Sequence, residues 1–125
     1  MLDSSAIIAM ILDEPGAEMV TQELDNAIVS MPNVAEVYSV ISRKMQRSRS
    51  VDAFFALPGV KPVPLSFEQA RMAGQYETIG RIAGLSLGDR CCLALAFETK
   101  TAALTADKAW AKIGHAISVE IRMIR

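Results

Sequence analysis

Histidine is nearly missing from this chain of 125 residues: His115 is the one example. The two cysteines, Cys91 and Cys92, are adjacent. Neighbouring residues of a helix point in different directions, so a structural bridge between them is not expected. One His and two adjacent Cys make no cluster of the zinc-binding kind, and nothing in the sequence places that His beside a Cys as the base of a nucleophile. The cysteines read as small buried hydrophobes of a reducing compartment. Long apolar runs are lacking too. None approaches the roughly 18 residues needed to span a bilayer, and no basic-then-apolar signal opens the sequence. Both absences lead us to expect a cytoplasmic protein. Repeats, low-complexity tracts and linkers are also missing. With 51% hydrophobic residues and a formal net charge of −1, residues 1–125 are expected to fold as one ordered domain.

One further absence is local. Residues 1–42 hold Asp3, Asp13, Glu14, Glu18, Glu23, Asp25 and Glu36 but neither Lys nor Arg. The bases then arrive together in RKMQRSR, as Arg43, Lys44, Arg47 and Arg49. Such a run is either a solvated helix end or a phosphate-binding strip beside an acidic site.

What is present alternates. MLD reads as a strand stub. Ile7, Ile8, Ile11 and Leu12 recur at helical spacing until Glu14-Pro15-Gly16 breaks the run. A second helix is expected over 16–26, a strand over 27–31, and a helix starting at Asn33 with Val34, Val37, Ile41 and Met45 on one side. Then come a short helix over 51–57, an extended VKPVPLS with edge-type prolines, and a helix over 66–84. LSLGDRCCLALA opens another helix, TAALTA is a strand, DKAWAKIG a short helix, and SVEIRMI the last strand. Helices alternating with short strands argue for an α/β fold of three layers with a mainly parallel sheet. Function in such sheets gathers at the carboxyl ends of the strands.

Four acids fall at strand ends or helix starts: Asp3, Glu36, Asp89 and Asp107. In a parallel α/β sheet those positions share one edge. Asn33-x-x-Glu36 and Ser86-x-x-Asp89 each fit a capping box, and Asp107 fits a helix cap. Asp3 is harder to read as a cap, because strands disfavour Asp and a buried acid needs a partner. Converging carboxylates would repel and raise one another's pKa values. A hard divalent cation, Mg²⁺ or Mn²⁺, resolves both problems.

LDSSAIIAMILDEPGAE, NVAEV, LSLGDRCCLALA and LTADKAW, in that order, resemble a PIN-domain ribonuclease, and more narrowly the VapC toxins of bacterial toxin–antitoxin pairs. The resemblance spans essentially the whole chain. It implies an α/β/α domain with a sheet of about five parallel strands. It implies that Asp3, Glu36, Asp89 and Asp107 converge as metal-binding catalytic acids, supported by Ser5 and Ser4. It further implies Mg²⁺- or Mn²⁺-dependent RNA cleavage, a silencing antitoxin of VapB type bound along the groove, and a homodimer. In that setting Arg43, Arg47, Lys44 and Arg49 form a rail for RNA phosphates. Two other classes compete. A catalytically silent PIN-like module would bind RNA or a partner without cutting. A receiver-type phosphoryl-transfer domain would want a second acid beside Asp3, where Ser4 and Ser5 stand. Arg90 is expected to pair with a nearby acid, Trp110 to pack in the core, and His115 to be solvated.

Overall fold

The computed structural model describes residues 1–45 and 49–125, with the backbone alone for Met45. Its short apolar segments pair in parallel. β1 (Ala27–Ser30) pairs with β2 (Val60–Val63), and β3 (Ala103–Thr105) with β4 (Ile121–Met123). Residues 1–3 close the gap between the two pairs. Leu2 bridges Leu104 in parallel. The Leu2 N–H donates to the Ile28 carbonyl at 2.9 Å, and the Leu104 N–H donates to the Met1 carbonyl at 2.9 Å. The order is thus β2, β1, residues 1–3, β3, β4. The stub expected from MLD is the centre of the sheet, and it holds because both of its sides are paired. β2 lies at an edge, the place in a sheet where a proline such as Pro62 is tolerated.

The sheet is covered on both faces. Leu2, Val29, Leu104 and Val60 point to a core shared with Ile7, Val20, Val37, Ile41, Val51 and Phe54. Their neighbours Met1, Ile28, Ala103 and Val63 point the other way, onto Cys92, Leu93, Leu95, Trp110, Ile113 and Ile117. This alternation of period two, with apolar residues on both sides, is what a parallel strand buried on both faces requires. The fold is a three-layer α/β/α sandwich.

The first layer holds α1 (Ser4–Ile11), α2 (Ala17–Gln22), α3 (Met31–Met45) and α4 (Arg49–Phe55); the second holds α5 (Phe67–Gln75), α6 (Glu77–Ala83), α7 (Leu87–Thr99) and the short α8 (Gly114–Ile117). Single 3₁₀ turns lie at Leu24–Asn26 and Lys108–Lys112. Gly16 has φ 93°, and a Cβ there would stand 2.3 Å from the Ile124 carbonyl oxygen, so glycine is required at this break.

Several boundaries differ from expectation. The helix over 16–26 splits into α2 and a 3₁₀ turn. The helix over 66–84 breaks at Tyr76, because α5 packs along α7 while α6 turns to reach the 3₁₀ segment at 108–112. α3 starts at Met31, directly after β1, and takes Pro32 into its first turn, where no intrahelical N–H is forfeited. Asn33 is therefore inside the helix, and the capping box proposed for Asn33 and Glu36 does not exist. DKAWAKIG is a 3₁₀ segment followed by the start of α8.

Candidate functional site

The centre of the site is Asp3. It ends the central extended segment and caps α1, where its Oδ2 accepts the Ser5 N–H at 3.2 Å. Its side chain is buried, with 1% of the residue exposed. Oδ2 also accepts the Ser5 hydroxyl at 2.6 Å and the Thr105 hydroxyl at 2.9 Å. Backbone groups set the direction of both hydroxyls. The Ala106 N–H donates to Ser5 Oγ at 2.9 Å, and the Asp107 N–H donates to Thr105 Oγ1 at 3.0 Å. Each oxygen thus accepts from the chain and turns its single proton to Asp3. Burial nonetheless pushes the Asp3 carboxyl above its ordinary range, and these hydrogen bonds offset part of that rise.

The other acids stand around Asp3 at different removes. Ser4 Oγ lies 2.9 Å from Glu36 Oε2 and 3.3 Å from Asp3 Oδ1, so one hydroxyl proton serves two carboxylates. Glu36 reaches this place because Gly88, near the start of α7, has no side chain. A Cβ there would stand 2.8 Å from Glu36 Oε2. Asp89 follows Gly88. It forms the expected capping box with Ser86: its Oδ2 accepts the Ser86 N–H at 2.6 Å, and its own N–H donates to Ser86 Oγ at 3.1 Å. Its carboxyl is pushed up to about 6, by burial first, then by the negative charges of Asp3 and Glu36, against the Ser86 hydrogen bonds. Asp107 is joined to Asp3 through Thr105, but its own carboxylate caps the 3₁₀ segment, accepting the Ala109 N–H at 2.9 Å.

The arrangement thus draws Asp3, Glu36 and Asp89 together electrostatically and leaves Asp107 at the rim. Among the described residues, no three His, Cys, Asp or Glu side chains are grouped as ligands of one ion. The donor set still suits a hard cation. It offers carboxylate and hydroxyl oxygens, it leaves its like charges unneutralised, and Mg²⁺ binds through one or two carboxylates while retaining waters. Gly88 preserves the room in which Glu36 stands. The neighbouring cation, Arg90, is engaged elsewhere. Its Nη1 lies 2.5 Å from Glu77 and donates to the Ala73 carbonyl at 3.2 Å.

Other residues can be placed as well. Arg43 and Lys44 are exposed in the last turn of α3, and Arg43 Nε donates to the Ser39 carbonyl at 3.3 Å. Arg49 is exposed at the start of α4, so the basic strip crosses between two helices. Arg47 lies outside the described residues. Trp110 is fully buried and His115 is exposed. Both cysteines are free and buried, and burial raises the Cys92 thiol well above its ordinary value, the wrong direction for a nucleophile. Sequence reasoning missed Asn33 as a partner of Asp3, together with Thr105, Ser30 and Gly88. Their signal was small polar residues, or none at all, at the ends of strands or the start of a helix.

A family model for the PIN domain matches residues 1–116, and the chain belongs to the PIN-domain family. Its relatives narrow the group to VapC. It is 34% identical over 109 residues to ribonuclease VapC42 of Mycobacterium tuberculosis, across 79% of this chain and 83% of that protein. A VapC ribonuclease of Mycobacterium bovis matches to the same extent. Two solved structures share the fold. VapC20 of Mycobacterium tuberculosis, described as a sarcin-ricin loop cleaving toxin, superposes with a TM-score of 0.72 at 12% identity, covering 89% of this chain and 92% of that one. DNA-bound VapBC of Salmonella typhimurium gives 0.73 at 13% identity, covering 100% and 97%.

Proposed function

We propose that this chain, as one PIN domain over residues 1–125, is a ribonuclease that hydrolyses RNA phosphodiester bonds with Mg²⁺ or Mn²⁺. On this reading it is the toxin of a toxin–antitoxin pair and a cytoplasmic homodimer silenced by a VapB-like antitoxin. The observation that carries the reading is geometric: Asp3 is buried at the centre of the sheet and shares one Ser4 hydroxyl with Glu36, and burial with their charges raises the Asp89 carboxyl beside them. The VapC ribonuclease relatives and the toxin–antitoxin complexes of like fold support substrate and partner. Among the described residues, no helix is long and apolar enough to cross a membrane.

Asp3, Glu36, Asp89 and Asp107 would hold the ion directly or through water. A bound divalent ion supplies charge for the phosphoryl oxygen and acidity for its water. The protein's own share is positional. Ser5 and Thr105 hold one oxygen of Asp3, and Ser4 ties Asp3 to Glu36. Asp89, where it does not bind the ion itself, would orient the attacking water and take its proton. The water oxygen bonds to phosphorus as one ester P–O bond breaks. Arg43, Lys44, Arg47 and Arg49 would guide the RNA backbone. Along α3, Arg43 lies about 10 Å from Glu36 by helical rise.

RNA cleavage with Mg²⁺, with Mn²⁺ and with EDTA tests this. Cleavage should require the metal, and Asp89→Asn should reduce it at least 100-fold, the scale of a lost general base. Folded protein that cuts no RNA in either metal would end the nuclease reading and leave a binding module. A wild-type rate in Asp89→Asn would leave Asp89 as a cap alone.

A further inference from the structure

Asn33, the first residue of NVAEV, is a partner of Asp3 and not the helix cap that its spacing to Glu36 suggested. Asn33, in α3, is fully buried, and its Nδ2 donates to Asp3 Oδ1 at 3.2 Å. Behind it stands Ser30, the last residue of β1 and also fully buried, whose hydroxyl donates to Asn33 Oδ1. Asp3 decides which way the amide faces. A carboxylate only accepts, so the Nδ2 end turns to Asp3 and Oδ1 is left to accept the Ser30 hydroxyl.

The two oxygens of Asp3 are held unequally. Oδ2 accepts from the Ser5 N–H, the Ser5 hydroxyl and the Thr105 hydroxyl. Among the described residues, Oδ1 meets Asn33 and, at 3.3 Å, the Ser4 hydroxyl, which lies closer to Glu36. Three donors pin Oδ2, and Asn33 completes the fixing of the carboxylate from the Oδ1 side while leaving that oxygen with acceptor capacity. It does so without charge. A Lys or Arg in its place would neutralise Asp3, and an Asp would repel it. A purely space-filling residue here would be apolar, because burying an amide costs free energy unless it is paired.

We propose that the Ser30–Asn33 pair is a positioning device that orients Asp3 Oδ1 towards the divalent cation and so sets the affinity of the metal site. The proposal rests on the metal-site reading above. It is tested on the full chain by calorimetric titration with Mn²⁺, by thermal melts in EDTA, and by kcat and KM for RNA cleavage. Asn33→Ala should weaken Mn²⁺ binding about 10- to 100-fold, as loss of a ligand-orienting partner does. It should lower kcat and leave KM for RNA unchanged. Asn33→Asp, which sets an acceptor against an acceptor, should do more. Ser30→Ala should act in the same direction and less. If Asn33→Ala does not fold, Ser30→Ala decides, since it deletes one hydroxyl and little volume. A lower melting temperature with wild-type Mn²⁺ affinity would make Asn33 a buried polar residue only and overturn the proposal. Wild-type protein that binds no Mn²⁺ would overturn the metal site itself, and this inference with it. The two failures are distinct.

Discussion

Gly88→Ala should separate the stability of α7 from the placement of Glu36. Gly88 is the second residue of that helix. A methyl at this position would stand 2.8 Å from Glu36 Oε2 and 3.6 Å from Ser86 Oγ. Contacts as short as the first do not persist, so something must move by several tenths of an ångström. The end of a Glu side chain is the softest part, and it swings away from Asp3 and Asp89. The helix itself gains, because Ala is favoured over Gly by about 0.5–1 kcal/mol. For a domain of this size that is a rise of roughly 2–6 °C in Tm, less if Glu36 resists. The site loses. Misplacing a catalytic group by about 1 Å can cost about 100-fold in rate. Thermal melts in EDTA and RNA cleavage in Mg²⁺ read the two effects separately. The expected outcome is a protein at least as stable as wild type and much less active. A marked loss of stability would refute the expectation that the Glu36 side chain is the part that yields, and a wild-type rate would refute the need for Glu36 at that place. The cycle with Glu36→Ala is sharper still. If Gly88 acts by making room for Glu36, Gly88→Ala should cost almost nothing further once Glu36 is gone.

Two more predictions follow from charge. Asp89 is raised to about 6 from an ordinary 3.8, and Asp3 is raised too. A raised acid favours the folded state fully below its unfolded pKa, and that contribution is lost as pH rises through the folded one. Stability in EDTA should therefore fall between about pH 4 and 7, with Asp89 contributing about 1–2 kcal/mol after discounting for solvent screening. Asp89→Asn should melt near wild type at pH 4 and above it at pH 7, while Mn²⁺ added at pH 7 should stabilise wild type more; equal melting of the two proteins at both pH values would contradict the assigned shift. The basic strip predicts a salt effect. Arg43→Ala with Lys44→Ala should flatten the slope of log affinity for RNA against log salt by up to about 1.4 for single-stranded RNA, and an unchanged slope would return these residues to a solvated helix end.

Much of the candidate site was legible because its acids sit where local pattern changes. Asp3 follows a strand stub, Asp89 follows Ser86 at a helix start, and Asp107 follows TAALTA. Their spacing along the chain therefore reports one edge of a parallel sheet. The capping box of Ser86 and Asp89 was legible for the same reason: its bonds join residues three apart. Glu36 does stand beside Asp3, joined through Ser4, but it was placed there through a wrong local structure, since α3 begins two residues earlier than Asn33. The helix over 66–84 misled because its apolar spacing continues smoothly past the break at Tyr76, and the reason for the break lies in what α5 and α6 touch.

The alternation of strands and helices, the turn at Glu14-Pro15-Gly16 and the order of the acids follow from the amino-acid sequence alone. Periodicity, caps and breakers act over a few residues. Tertiary structure decided that residues 1–3 are the centre of the sheet, since both of their partners arrive from elsewhere in the chain. It also decided that Thr105, 102 residues away, and Asn33, 30 residues away, hold the two oxygens of Asp3. And it decided that the missing side chain of Gly88 admits Glu36. A buried carboxylate takes its direction from whichever donors the folded backbone delivers to it, and no local pattern encodes which those are.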